Sequence, residues 1–245
     1  MWNLRSVSIP RKIHAATAAI LLVLPCAING HSQEPSEAEV IQHIDAVIKA
    51  RFEAVLAYTV TEHYAVFRND DLTHPSAEMT VRTTYNKDTG KTYAILSSSG
   101  SALIKHYVFD TLLDNEKRIN EPANREASWL TSTNYEMKLK PGGTVLVDGR
   151  DCYAMAISPK QKAPNLIEGT MWVDAKDFST VKIEGVSTKS PSMITGPSHV
   201  SRQYALFDGF AQATHAHAET DSNLVGKTVV TIDYEGYEIQ IRATK

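Results

Sequence analysis

The chain has 245 residues, 42% of them hydrophobic, which suits one globular domain with its own core and excludes a disordered chain. It carries 25 basic and 28 acidic residues. Residues 1–32 hold Arg5, Arg11 and Lys12 and no acid, so the remainder has 22 basic against 28 acidic residues, a net charge of −6; that balance argues against nucleic acid, and against anionic membrane bound by charge alone.

The N-terminus reads as an address. A basic start is followed by the apolar run Ala15 to Leu24, then by the small and polar residues Ala27, Asn29, Gly30 and Ser32. That order is a secretory signal peptide over residues 1–32, leaving residues 33–245 as a single exported domain. The alternative is an uncleaved anchor, but the run falls short of the about 20 apolar residues that a spanning helix needs. Of the two cysteines, Cys26 leaves with the signal, and Pro25 stands where a bacterial lipoprotein signal wants a small residue. Cys152 is then alone, so no intramolecular disulfide forms; its apolar strand makes it a small buried hydrophobe.

Pro35 blocks any earlier helix, and Ser36-Glu37-Ala38-Glu39 is a capping box. Ile41, Ile44, Ile48, Phe52 and Val55 then recur at helical spacing, with Lys49 and Glu53 on another face. From Ala57 the period becomes two: Tyr58, Val60, Glu62, Tyr64 and Val66 share one face. Met79, Val81, Thr83 and Tyr85 share a face of a second strand, and Asp88-Thr89-Gly90 turns the chain into a third, Lys91 to Ser97. Ser97 to Ser101 ends it and caps a short helical stretch through Leu103, Tyr107, Leu112 and Leu113. Asn115 to Arg125 is charged, contains Pro122, and is expected to be an exposed loop.

Strand character returns at Tyr135 to Leu139, and Pro141-Gly142-Gly143 is expected to break it. Asp148-Gly149 is a hairpin signal leading into Cys152 to Ser158, with Tyr153, Met155 and Ile157 on its large face. Asn165 to Lys189 is a further hairpin turning at Asp174 to Asp177; Met171 and Val173 oppose Thr170, Trp172 and Asp174. After an excursion over Ser190 to Ser198, two more hairpins turn at Asp208-Gly209 and Glu235-Gly236. Ten or eleven strands and two helices predict an α+β chain, mainly β, built on one extensive antiparallel sheet or incomplete barrel.

Catalytic chemistry finds little support. Gly90-Lys91-Thr92 lacks the glycine that a phosphate loop needs at position 85, which is Tyr85. There is no Gly-x-Ser-x-Gly elbow, and Asp70 and Asp71 suit a turn better than a catalytic pair. His215, His217 and Glu219 project from one face of a strand and could ligate zinc with a water, which would make a metal-dependent hydrolase. The plainer reading is a polar solvent face with Ala216 and Ala218 packed inward. No metal and no cofactor is expected.

The N-terminal amphipathic helix leads into a long strand ending Glu62-His63-Tyr64-Ala65-Val66. Later come Glu168-Gly169-Thr170-Met171-Trp172-Val173-Asp174 and Val181-Lys182-Ile183-Glu184. In that order of elements the chain resembles the exported lipoprotein-carrier superfamily, the LolA/LolB-like and RseB-like proteins. The resemblance implies an open half-barrel whose helices close its concave face over an apolar cavity. It also implies binding of lipid or lipoprotein acyl chains without catalysis, in lipoprotein sorting or envelope sensing in the periplasm. Phe52, Trp129, Tyr135, Met137, Met171 and Trp172 are the candidate lining, because large or flexible apolar groups suit chains of variable shape. A monomer is expected, with an envelope protein as a further partner. A protein-interaction module of the envelope is the other non-enzymatic reading.

Overall fold

Alternation of period two dominates the chain, and it produces one sheet. The computed structural model describes residues 34–163, 165–189, 197–221 and 226–243. The expected signal peptide and most of the Ser190–Ser198 excursion lie outside the described residues. The strands are β1 (Val55–Arg68), β2 (Ala77–Asn86), β3 (Gly90–Gly100), β4 (Tyr135–Val147), β5 (Arg150–Pro159), β6 (Ile167–Asp174), β7 (Thr180–Ser187), β8 (Ser198–Phe207), β9 (Phe210–Thr220) and β10 (Thr228–Ile241). They pair antiparallel in the order β3-β2-β1-β10-β9-β8-β7-β6-β5-β4. Strands β3 and β4 do not pair with each other, so the sheet is an open half-barrel rather than a closed barrel.

The hairpins expected at Asp148-Gly149 and Asp208-Gly209 form, but Glu235-Gly236 does not turn the chain. Strand β10 runs on from Thr228 to Ile241 against β1, and the extra residues are taken up as a bulge where the ladder slips between Thr59 and Thr61, with Gly236 at φ 65°. Asp148 and Gly149 both have positive φ (48° and 77°), as do Asp208 and Gly209 (49° and 81°). Two successive left-handed residues match the twist of the flanking strands. Pro141-Gly142-Gly143 does not end its strand, contrary to expectation. The ladder slips there instead: Leu139 pairs with Met155 and Thr144 with Tyr153, leaving the extra residues of β4 bulged out. Gly142 and Gly143 supply the positive φ that such a bulge requires.

One face of the sheet is covered by helices. The first is α1 (Glu37–Ala54), started by the reciprocal box in which Ser36 N–H donates to Glu39 and Glu39 N–H donates to Ser36 Oγ. Its Val40 and Ile44 sink among Tyr135, Met137, Tyr153, Met155, Ile157, Met171, Val173 and Ile183 of β4 to β7. Each such aliphatic side chain, fully buried, contributes about 1.5–3 kcal/mol. The link from β3 to β4 supplies the second cover: α2 (Ala102–Ile104), a π-helical stretch (Lys105–Asp110) and α3 (Thr111–Ile119). Ile104, Phe109 and Leu113 pack on Tyr64, Val66, Ala77, Met79 and Val81. The charged stretch from Asn115 is therefore helical to Ile119, not loop as expected, because Leu113 and Glu116 both find partners beneath it. A third cluster, Val55, Tyr58, Val60 and Tyr85, lies at the other end of β1 and β2.

Candidate functional site

The covered face is the candidate site, and its floor follows from register. Tyr58, Val60, Glu62, Tyr64 and Val66 alternate inward on β1 and stand opposite Tyr85, Thr83, Val81, Met79 and Ala77 of β2. On the other side, Glu62, Tyr64 and Val66 stand opposite Tyr234, Ile232 and Val230 of β10. The same alternation places Arg202 of β8 between Ile183 of β7 and Ala216 of β9.

The six predicted lining residues divide three ways. Tyr135, Met137 and Met171 are buried under α1 in the first apolar cluster. Phe52, near the end of α1, stacks on Trp129 with ring centroids 4.2 Å apart. Trp172 lies on the opposite face of the sheet, where Lys182 sits 5.4 Å above its ring. There it lines an open groove of about 480 Å³ with His199, His217 and Glu219. Register places Tyr135, Met137 and Met171 on the helix-covered side and sends Trp172 to the other, while Phe52 and Trp129 are set by their stack on each other.

The residues that sequence reading missed are polar. Between the apolar clusters, the covered side holds Glu62, Lys91, Glu116, Arg202, Arg51 and Gln212. Lys91 Nζ lies 2.8 Å from the Glu116 carboxylate. Burial works against the Lys91 charge, but Glu116 and nearby tyrosines hold its pKa well above the ordinary lysine value. Burial likewise opposes the Glu116 charge, and Lys91 and Arg202 overcome it, so its pKa falls. Glu62 accepts the Tyr64 hydroxyl, and burial and that carboxylate together drive the Tyr64 pKa far up. Burial raises the Tyr93 pKa as well. Arg202 is stabilised as a cation chiefly by Tyr204, against the cost of its burial. From above, Arg51 of α1 donates to Gln212 Oε1 at 2.7 Å and lies over the Phe52 ring.

Two signals could have revealed this set. Glu62 is the acid in a strand face otherwise aromatic and aliphatic. Arg51 stands three residues after Ile48 and seven after Ile44, inside the apolar stripe of its helix.

Elsewhere the polar candidates are occupied structurally. His215 pairs with Asp233 at 2.7 Å, and Lys227 holds Glu219 at 2.8 Å, which with its hydrogen bond lowers the Glu219 pKa. Ala216 is buried between the two histidines. Among the described residues no three His, Cys, Asp or Glu side chains gather as metal ligands. The Cys152 thiol is buried and its pKa is pushed up to about 11, by burial first and then by Asp174.

Among the described residues no helix is long and apolar enough to cross a membrane. No protein-family model and no curated sequence matches this chain. Its structure is similar to a LolA superfamily protein from Nitrosomonas europaea, at 12% identity and a TM-score of 0.45, over 84% of this chain and 94% of that one. It is also similar to a domain described as outer membrane lipoprotein-sorting from Vibrio parahaemolyticus, at 14% identity and 0.45, over 83% and 93%. A DUF1329 family protein from Desulfovibrio piger matches at 12% identity and 0.41, over 84% and 95%.

Proposed function

We propose that this protein is a non-catalytic carrier or sensor of a lipidic ligand in the bacterial periplasm, exported by a signal peptide over residues 1–32 and working as one domain over residues 33–245. The observation that carries the reading is the helix-covered face itself. An open sheet leaves an apolar face that water disfavours. Here two separate helical covers, rather than a second sheet, lie on it. At about 25 cal/mol per Å², covering that face with a helix or with an acyl chain is favourable either way. A cover that moves aside can therefore exchange with a ligand. The structural neighbour described as an outer membrane lipoprotein-sorting domain agrees with this reading without adding weight to it.

Phe52 and Trp129 form the entry in this scheme. They join the end of α1 to the link between β3 and β4, so parting them opens a path between the covers. Tyr135, Met137 and Met171 are the apolar bed under α1. The test is native mass spectrometry of the exported protein, followed by lipid extraction. Co-purifying phospholipid or lipopeptide is the expected result. A lipid-free protein that also fails to bind fluorescent acyl probes would defeat the reading. Intact mass reports the export step, with a first residue expected between His31 and Gln33.

A further inference from the structure

Among the described residues six buried side-chain polar atoms have no hydrogen-bond partner: Arg51 Nε, Thr83 Oγ1, Tyr93 OH, Trp129 Nε1, Arg202 Nε and Gln212 Nε2. Four of them are nitrogens that can only donate, and the two hydroxyls can donate as well. An orphaned buried donor costs about 1–3 kcal/mol, so a cluster of them calls for an explanation. They are not scattered. Thr83 and Tyr93 are cross-strand partners on β2 and β3. Gln212 is bound to Arg51, and Arg51 adjoins the Phe52 ring that stacks on Trp129. Register puts Tyr93 and Arg202 on the same helix-covered face: Tyr93 lies opposite Thr83, which lies opposite Val60, and Arg202 opposite Ala216, which lies opposite Ile232 and through it Tyr64. Thr83 and Gln212 are closed off from solvent, with exposures of 0% and 2%.

Charge points the same way as the donors. This region holds three cations, Arg51, Lys91 and Arg202, against two carboxylates, Glu62 and Glu116. Lys91 and Glu116 satisfy each other, and Glu62 takes the Tyr64 hydroxyl. Neither arginine has a carboxylate at ion-pair distance among the described residues; Arg51 has Gln212 and Arg202 has Tyr204. Water would answer the donors poorly, since each water brings two protons that need acceptors of their own. An anion accepts without donating and is the better complement of a donor-rich, net-positive wall.

We infer that the region between the apolar clusters binds the anionic headgroup of the ligand, a carboxylate or a phosphate monoester, with Arg202 below, Arg51 above, and Gln212 and Tyr93 completing the donor set. The inference rests on the lipid-binding reading and narrows it to acidic lipids. The acyl chain then lies along the apolar bed under α1, with its charged end among the arginines. Arg51 is on α1, so in this scheme headgroup capture and the seating of α1 are one event.

The experiment compares a dansyl-labelled undecanoic acid with its methyl ester on the delipidated exported protein, by fluorescence titration. Dioleoyl phosphatidic acid, dioleoylglycerol and inorganic phosphate serve as competitors. The acid is expected to bind at least about tenfold more tightly than the ester, the effect of one or two charge-assisted hydrogen bonds. Arg202→Gln and Arg51→Gln are each expected to shrink that gap, weakening the acid more than the ester. Phosphatidic acid is expected to displace the probe where dioleoylglycerol does not. Equal binding of acid and ester by the unaltered protein overturns the headgroup site and leaves the lipid reading standing. Binding of neither probe overturns both. Displacement by inorganic phosphate, with no binding of the ester, keeps the anion site and rejects a lipid as its source. The acid-to-ester comparison needs no variant, so it decides even if an arginine variant fails to fold.

Discussion

The Nζ of Lys91, at the start of β3, lies 2.8 Å from the carboxylate of Glu116 on α3, with the two side chains 12% and 28% exposed. That pair pins the second helical cover to the sheet at the rim of the polar region. Removing one partner leaves the other, largely buried charge without its nearest counter-charge. Lys91→Met is expected to lower stability by about 2 kcal/mol, and the double variant Lys91→Met/Glu116→Leu to recover part of that loss. A double-mutant cycle by urea denaturation checks it, and additive losses would deny the coupling.

The same pair sets a pH window. Glu116 has a folded pKa below its ordinary 4.5, so its contribution is complete above that value and is lost as pH falls through the folded pKa. Lys91 has a folded pKa above its ordinary 10.5, so its contribution is complete below 10.5 and is lost only beyond the higher folded value. The stability difference between the natural protein and Glu116→Gln should therefore be flat across neutral pH and shrink under acid. Denaturant midpoints measured down a pH series test this, and a difference that grows toward low pH would contradict it.

Sheet architecture was legible because its signals are local. Alternation put Tyr58 to Val66, Met79 to Tyr85 and Tyr153 to Ile157 on single faces, and the register keeps each set together. The Asp-Gly pairs carry their turn geometry in two residues. The polar region was not legible, because its members meet only through pairing between distant strands and through the seating of α1. A register slip on β8 and β9, between Gln203 and Tyr204, separates Arg202 from the positions beyond it. Alternation cannot be extended across such a slip, which reverses the faces that follow. Trp172 was grouped with Met171 by size, although adjacent strand residues point to opposite sides.

Gly169 and Gly185 face each other across β6 and β7. A Cβ on Gly169 would fall 2.2 Å from the Glu184 carbonyl oxygen, and one on Gly185 equally close to that of Glu168. Those obstacles are backbone, which cannot swing aside. Gly169→Ala and Gly185→Ala are each expected to destabilise the protein by about 1–3 kcal/mol. Unchanged urea midpoints would mean that the strand pair opens without penalty.

His215 and His217 have structural partners in place of a metal: Asp233 for the first, and the Glu219–Lys227 pair beside the second. Protein purified without a histidine tag should carry no stoichiometric zinc by elemental analysis. One zinc per chain, lost on His217→Ala, would restore a hydrolase as the leading alternative.

After removal of residues 1–32 two tryptophans remain, and they report opposite faces of the sheet. Trp129 stacks on Phe52 at the helix-covered side, its Nε1 buried without a partner. Trp172 lies under Lys182 on the other side, in the open groove. A ligand that enters between the helical covers must disturb the Phe52–Trp129 stack. Ligand addition should therefore shift or quench emission in Trp172→Phe, where Trp129 alone remains, and leave Trp129→Phe silent. Because Trp129 touches Phe52, Phe52→Ala should change the starting emission of the Trp172→Phe protein and weaken its response to ligand. The reverse pattern, with Trp172 responding and Trp129 silent, would move the binding site to the groove lined by His199, His217 and Glu219. The polar floor beneath the helices would then be a structural feature with no part in binding.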